Sequence, residues 1–268
     1  MLYGSGFPGT TFDSVRPFTT GTTYTQGGAG TGLGPYGSVT PLGSSGFRTT
    51  YALPGPSGQP ASPDAMTIVQ DFYVVGSTLE DSRIVRQTSI VNNGQGPLSV
   101  GVRYLWDIQI ANDDRPHIPA AQPRRIVDEA DFTPPGFETY RLVDNDGNPN
   151  PPTFAVLGTA NGPATLSPQP TPPTSLKYAR WPSSVGTTFD YSTSGQNVAG
   201  PSGNDSAAIY WWGHDAGSAL TIGSGQIASV NSQLILTANK VRCGPGKDRA
   251  RVDRKDRVRG CERVKGAG

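Results

Sequence analysis

The side chains able to do chemistry in this chain are few, and they cluster in three places. Asp107, Asn112, Asp113 and Asp114 follow one another at the end of an apolar run and the start of a polar loop. Carboxylates and an amide arranged in this way can converge as oxygen ligands on a hard cation, so the sequence marks a possible Ca²⁺ site here. The competing expectation is that Asp107 pairs with an arginine while Asn112, Asp113 and Asp114 turn the chain. A second acidic stretch, Asp144-Asn145-Asp146-Gly147-Asn148, opens like a calcium-binding loop. It has Ala155 where the bidentate acid belongs, so a hairpin turn through Asp-Gly accounts for it.

The third cluster is Tyr210-Trp211-Trp212 with His214 and Asp215. On a strand, Trp211 points away from Tyr210 and Trp212. One face must belong to the core, which leaves the other to present a flat aromatic beside a histidine and a carboxylate. This is a platform on which a sugar ring could stack, so Trp211, Trp212, His214 and Asp215 form the candidate carbohydrate site. Against it stands the tendency of large aromatics at adjacent strand positions to lie between packed sheets.

The inventory for catalysis is thin. Besides His214 there is only His117, and neither histidine lies in a nucleophile-elbow or metalloprotease context. Asp128, Glu129, Asp131 and Glu138 could supply an acid/base pair. Asp128 and Glu129, close to Arg124 and Arg125, read more simply as a solvated charged loop. The expectation is a protein that is not an enzyme.

The elements that would carry these residues are strands. Gly (35) and Pro (25) are abundant, while Glu and Lys, the usual builders of solvent-facing helices, are scarce. Residues 67–75 and 83–91 are runs of β-branched and aromatic residues, and residues 92–97 have turn chemistry throughout. Val100, Val102, Tyr104, Trp106, Ile108 and Ile110 form an unbroken period-two row, the mark of a strand buried on one face. Further strands are predicted at 137–143, 153–159, 206–212 and 227–238, with loops at 111–136, 144–149 and 161–176. Residues 1–65 read as short strands and long turns. The fold class is therefore all-β: a large antiparallel β-sandwich with essentially no helix.

Charge divides the chain unevenly. Half of its 22 basic residues fall in residues 240–268, together with both cysteines, Cys243 and Cys261. Residues 1–239 are acidic and read as one domain; residues 240–268 read as a basic, disordered tail whose abrupt composition suggests an altered reading frame. Nucleic-acid binding through that tail is disfavoured, because no aromatic stacking residue accompanies its charge. No apolar run is long enough for a transmembrane helix, and the first residues lack the form of a signal peptide. An export signal would have to lie on a part of the protein not present here.

The order of segments resembles a known type of domain. It runs from Gly9-Thr10-Thr11-Phe12-Asp13-Ser14-Val15-Arg16 through Asp81-Ser82-Arg83, Ile90-Val91-Asn92-Asn93 and residues 100–107 to Asp205-Ser206-Ala207-Ala208-Ile209-Tyr210-Trp211. This is similar to the large β-sandwich domains of multidomain bacterial and archaeal secreted or surface proteins, whose build is the supersandwich of the galactose-mutarotase-like fold. The resemblance implies that fold and an extracellular or cell-surface setting, and it carries over no functional residue. The expected role is a non-catalytic module that spaces domains or presents loops for adhesion. Its partners would be a polysaccharide, another surface protein or other domains of the parent chain. The rival expectation is a carbohydrate-binding or supporting domain of a carbohydrate-active enzyme. Apart from the possible Ca²⁺, no cofactor is implied.

Overall fold

The computed structural model describes residues 11–53, 65–78, 82–110, 126, 128–143, 154–198, 205–238, 249–252 and 258–262. In chain order the strands are β1 (Phe12–Pro17), β2 (Tyr24–Thr25), β3 (Thr31–Gly32), β4 (Gly37–Leu42), β5 (Gly46–Leu53) and β6 (Met66–Val75). Then come β7 (Arg83–Asn92), β8 (Leu98–Asp107), β9 (Ala130–Phe132), β10 (Thr139–Val143), β11 (Phe154–Thr159) and β12 (Ser175–Arg180). A five-residue helix, α1 (Trp181–Val185), precedes β13 (Ser206–Trp212), β14 (Leu220–Ile222), β15 (Ile227–Ala238), β16 (Arg249–Val252) and β17 (Val258–Glu262).

Two sheets pack face to face. One has the order β3-β2-β1-β8-β13-β12-β9, with β14 also on β8; the other has the order β10-β11-β15-β7-β6-β5-β4. The pairs are antiparallel except β2 with β3. The large antiparallel β-sandwich expected from the sequence is what forms. Among the described residues no helix is long and apolar enough to cross a membrane. β16 and β17 pair with each other as a separate two-stranded sheet within the basic stretch read as a disordered tail.

The period-two row of β8 explains the core. Leu98, Val100, Val102, Tyr104 and Trp106 point between the sheets, where they meet Ile68, Ile90, Val230 and Leu234 from the opposite layer. Tyr210 and Trp212 of β13 join them, the two rings stacked with centroids 5.7 Å apart. One polar node is enclosed in this core. Asp13 is ion-paired with Arg86, and its carboxylate also accepts from Gln70 and Thr88. The Arg86 guanidinium lies 4.6 Å from the centroid of the Tyr104 ring, and burial draws it down to about 10. Burying a charge is tolerated only with such partners.

The first sheet is covered on its outer face as well. Phe12, Leu105, Ala207, Ile209 and Trp211 point away from the main core and form a second apolar cluster with Phe189. Residues 181–191 lie across them as an overlay, through Trp181, Val185, Phe189 and Tyr191. Phe189 is its anchor, fully buried and edge-on to Phe18; removing such a side chain from water is worth about 1.5–3 kcal/mol. Gly101 makes the room, because a Cβ there would lie 2.7 Å from the Phe189 ring and 2.3 Å from the Gly213 carbonyl oxygen. Arg103, buried beneath the overlay, donates to the Ser184 and Thr187 carbonyls at 2.8 and 3.0 Å.

Candidate functional site

The overlay does not reach the edge of its sheet, and a pocket of about 460 Å³ opens where it stops. Strand register builds the floor. Ser175 and Lys177 of β12 share the outer face by period two; Ser175 is paired with Trp211 on β13, and Lys177 with Asp131 on β9. The remaining walls come from Thr133, from Asp190, Tyr191 and Ser192 at the end of the overlay, and from His214. Gly213, at φ 77°, turns the chain out of β13 so that His214 reaches the rim. A side chain is disfavoured there, because its Cβ would lie 2.9 Å from the Ala219 backbone.

Lys177 is the hub of the site. Its Nζ lies 2.9 Å from Asp131 Oδ2, donates to the Tyr191 carbonyl at 2.7 Å, and stands 5.6 Å from the centroid of the Trp211 ring. The other Asp131 oxygen accepts from Thr133 Oγ1 at 2.5 Å, and the Thr133 and Ser175 hydroxyls are 2.8 Å apart. Burial would raise the Asp131 carboxyl, but the Thr133 and Lys177 hydrogen bonds and the lysine charge outweigh it and hold the group below its ordinary value. His214 Nδ1 lies 3.1 Å from both Thr174 Oγ1 and Ser218 Oγ, and its Nε2 lies 3.3 Å from Asp215 Oδ2. Asp215, hydrogen-bonded by the Ser218 hydroxyl and backbone N–H, is also held below the usual carboxylate value.

Glu129 sits behind the pocket wall. It is 8% exposed. Its Oε1 accepts from the Arg180 backbone N–H at 3.0 Å and from the Tyr191 hydroxyl; its Oε2 accepts from Ser194 N–H at 2.7 Å and Ser194 Oγ at 2.9 Å. Burial pushes its carboxyl up, and these four hydrogen bonds more than reverse that, leaving it below the ordinary value. The Tyr191 phenol is correspondingly raised, by burial first and by the adjacent Glu129 carboxylate.

Two sequence expectations need correction. Trp211 and Trp212 are 2% and 1% exposed, so neither offers a flat face to a sugar ring. Trp212 lies between the sheets, donating from Nε1 to the Thr171 carbonyl; Trp211 lies under the overlay and donates from Nε1 to the Phe189 carbonyl at 3.1 Å. The stacking platform fails because both faces of β13 are covered. Trp211 and His214 nonetheless meet at the pocket, with Asp215 beside the histidine. The solvated-loop reading of Asp128 and Glu129 holds for Asp128, which is exposed and bonded to Asn197, and fails for Glu129.

Of the proposed cation ligands, Asp107 is buried at the end of β8, its backbone N–H and carbonyl both bonded to the Thr11 hydroxyl. Asn112, Asp113 and Asp114 lie outside the described residues, as do His117, Arg124, Arg125 and the turn at 144–149. Among the described residues no group of three or more His, Cys, Asp or Glu side chains could hold a metal ion. Sequence reasoning named Asp131 only as one of four scattered acids, and it missed Lys177 and Tyr191. The one available signal was that Lys177 is the sole lysine in residues 1–239.

No family model matches this chain, and no curated protein does. Solved structures similar to it include three with the following measures. A candidate aldose 1-epimerase from Escherichia coli K12 has a TM-score of 0.45 and 10% identity, over 89% of this chain and 82% of its own. The Slr1438 protein of Synechocystis sp. PCC 6803 has a TM-score of 0.44 and 12% identity, over 89% and 76%. A galactose mutarotase related enzyme from Lactobacillus acidophilus has a TM-score of 0.44 and 10% identity, over 82% and 77%. No characterised family is assigned to the chain.

Proposed function

We propose that this chain is a non-catalytic β-sandwich module of a secreted or cell-surface protein, and that it binds a short stretch of neutral polysaccharide in the pocket around Lys177. The observation that carries the reading is the convergence of Asp131, Lys177, Ser192 and His214 on one concavity, at the end of an otherwise covered sheet face. Its volume falls within the range of about 300–1,000 Å³ typical of small-ligand sites. The lining mixes an acceptor carboxylate, a donor ammonium and hydroxyls, the set that adjacent sugar hydroxyls satisfy. An anionic ligand is disfavoured, because Asp131 is paired with Lys177, which alone among the described lining residues carries a fixed positive charge, and Asp190 adds a further carboxylate.

The same groups suit binding better than proton transfer. A general base works best with a pKa near the operating pH, whereas Asp131 is held below its ordinary value and is already bonded to Thr133 and Lys177. The ion pair presents a fixed donor and acceptor rather than a proton in transit.

Native affinity electrophoresis of the full chain through gels containing different neutral polysaccharides tests the reading, with Lys177→Ala run alongside. Retardation of the native chain that Lys177→Ala abolishes is the expected result. No retardation on any gel, or equal retardation of both proteins, would remove the pocket as a carbohydrate site.

A further inference from the structure

Segment 191–194, which supplies two pocket residues, belongs to no strand or helix. Two groups tie it to the sheet: the Glu129 side chain and, through the Tyr191 carbonyl, Lys177 of β12. Glu129 receives the Tyr191 hydroxyl and both the N–H and the hydroxyl of Ser194, and its own backbone N–H donates to the Gln196 carbonyl at 2.8 Å. The same carboxylate accepts from Arg180 N–H at the end of β12, so one buried group joins the overlay to the strand that carries Lys177. Tyr191 closes the circuit, because its carbonyl accepts from Lys177 Nζ at 2.7 Å.

We propose that Glu129 is a positioning residue of the pocket: by clamping Tyr191 and Ser194 it fixes the Tyr191 carbonyl that, together with Asp131, holds the Lys177 ammonium in place. Glu129 itself is not among the residues that line the pocket. Its effect runs through Tyr191, and loss of the carboxylate leaves four donors without their acceptor while the β9–β12 ladder persists. Lys177 then keeps Asp131 but loses the carbonyl on its other side, and the pocket wall opens. The consequence for sugar binding rests on the function proposed above; the consequence for Lys177 does not.

Lys177 permits a ligand-free test, since an amine reagent finds no other lysine in residues 1–239 and its side chain is only 15% exposed. The full chain and its Glu129→Ala, Glu129→Gln and Tyr191→Phe variants are acetylated with an N-hydroxysuccinimide ester. Peptide mass mapping then gives Lys177 modification relative to the tail lysines, while amide exchange of β13 monitors the sandwich. In Glu129→Ala the Lys177 rate should rise at least about threefold with β13 exchange unchanged, as for a local opening. Glu129→Gln, which keeps an acceptor for Arg180 and Tyr191, should restore part of the protection. An unchanged Lys177 rate in folded Glu129→Ala, or a rise that merely follows β13 exchange, overturns the proposal. Should Glu129→Ala not fold, Tyr191→Phe decides on the same readout, and no change there overturns it equally. Absence of polysaccharide retardation in the native chain would remove the proposed ligand while leaving the Lys177 result to stand or fall by itself.

Discussion

Lys177 and Asp131 face each other across the β9–β12 ladder as paired residues, with Nζ 2.9 Å from Oδ2 at the mouth of the pocket. Their side chains are 15% and 40% exposed, so the pair is open to water on one side. A pair in that setting contributes little to folding.

Lys177→Met should therefore lower the stability of the chain by less than about 1 kcal/mol, even though it removes the pocket's fixed positive charge. Urea denaturation followed by fluorescence measures this. A loss of about 3 kcal/mol would identify the pair as a buried structural bridge instead.

The Asp13–Arg86 pair in the core should behave in the opposite way. Both side chains are almost wholly buried. Arg86→Met leaves Asp13 charged and uncompensated between the sheets, at an expected cost of about 3–5 kcal/mol. Adding Asp13→Asn to that variant should recover part of the loss. A double-mutant cycle from denaturation curves gives the coupling, and simple additivity of the two substitutions would contradict the assignment.

Gly101→Ala should lift the overlay. The added Cβ meets the Gly213 carbonyl oxygen at 2.3 Å and the ring of the fully buried Phe189 at 2.7 Å. A cost of about 1–3 kcal/mol is expected for overpacking of this kind. Tryptophan emission should shift to the red as Trp211 loses its cover, whereas an unshifted spectrum with native stability would mean that the overlay yields freely.

Acid should unlatch the pocket wall before the sandwich unfolds. Glu129 has a folded pKa below its ordinary value of 4.5. A carboxylate shifted in that direction contributes stability that is complete above the ordinary value and is lost as pH falls through the lower folded one. Protection of the amides of residues 191–194, corrected for intrinsic exchange, should accordingly begin to fall below about pH 4.5, while β13 stays protected. Parallel loss of protection at both places would argue against a local latch.

The sequence alone carried the architecture, because the information that determines a strand is local. The alternation from Val100 to Ile110 fixes which side chains of β8 enter the core, and the residues of 206–212 and 227–238 bound β13 and β15 as the structure has them. The same periodicity correctly put Trp211 on the face opposite Tyr210 and Trp212. It could not say that this second face is covered, since the cover is residues 181–191, whose spaced Trp181, Val185 and Phe189 do not announce which distant strands they lie on.

The pocket was illegible for the same reason. β12 follows a proline-rich loop and reads Ser-Leu-Lys-Tyr-Ala-Arg, too mixed to announce a strand, and β9 is three residues long. Asp131, Lys177, Tyr191 and Glu129 acquire partners only through the register of β9 on β12 and the drape of the overlay. Period and propensity are properties of neighbouring residues and survive in the sequence. Which distant strands pair, and what lies across them, is decided by the burial of the whole chain, and only the tertiary structure records it.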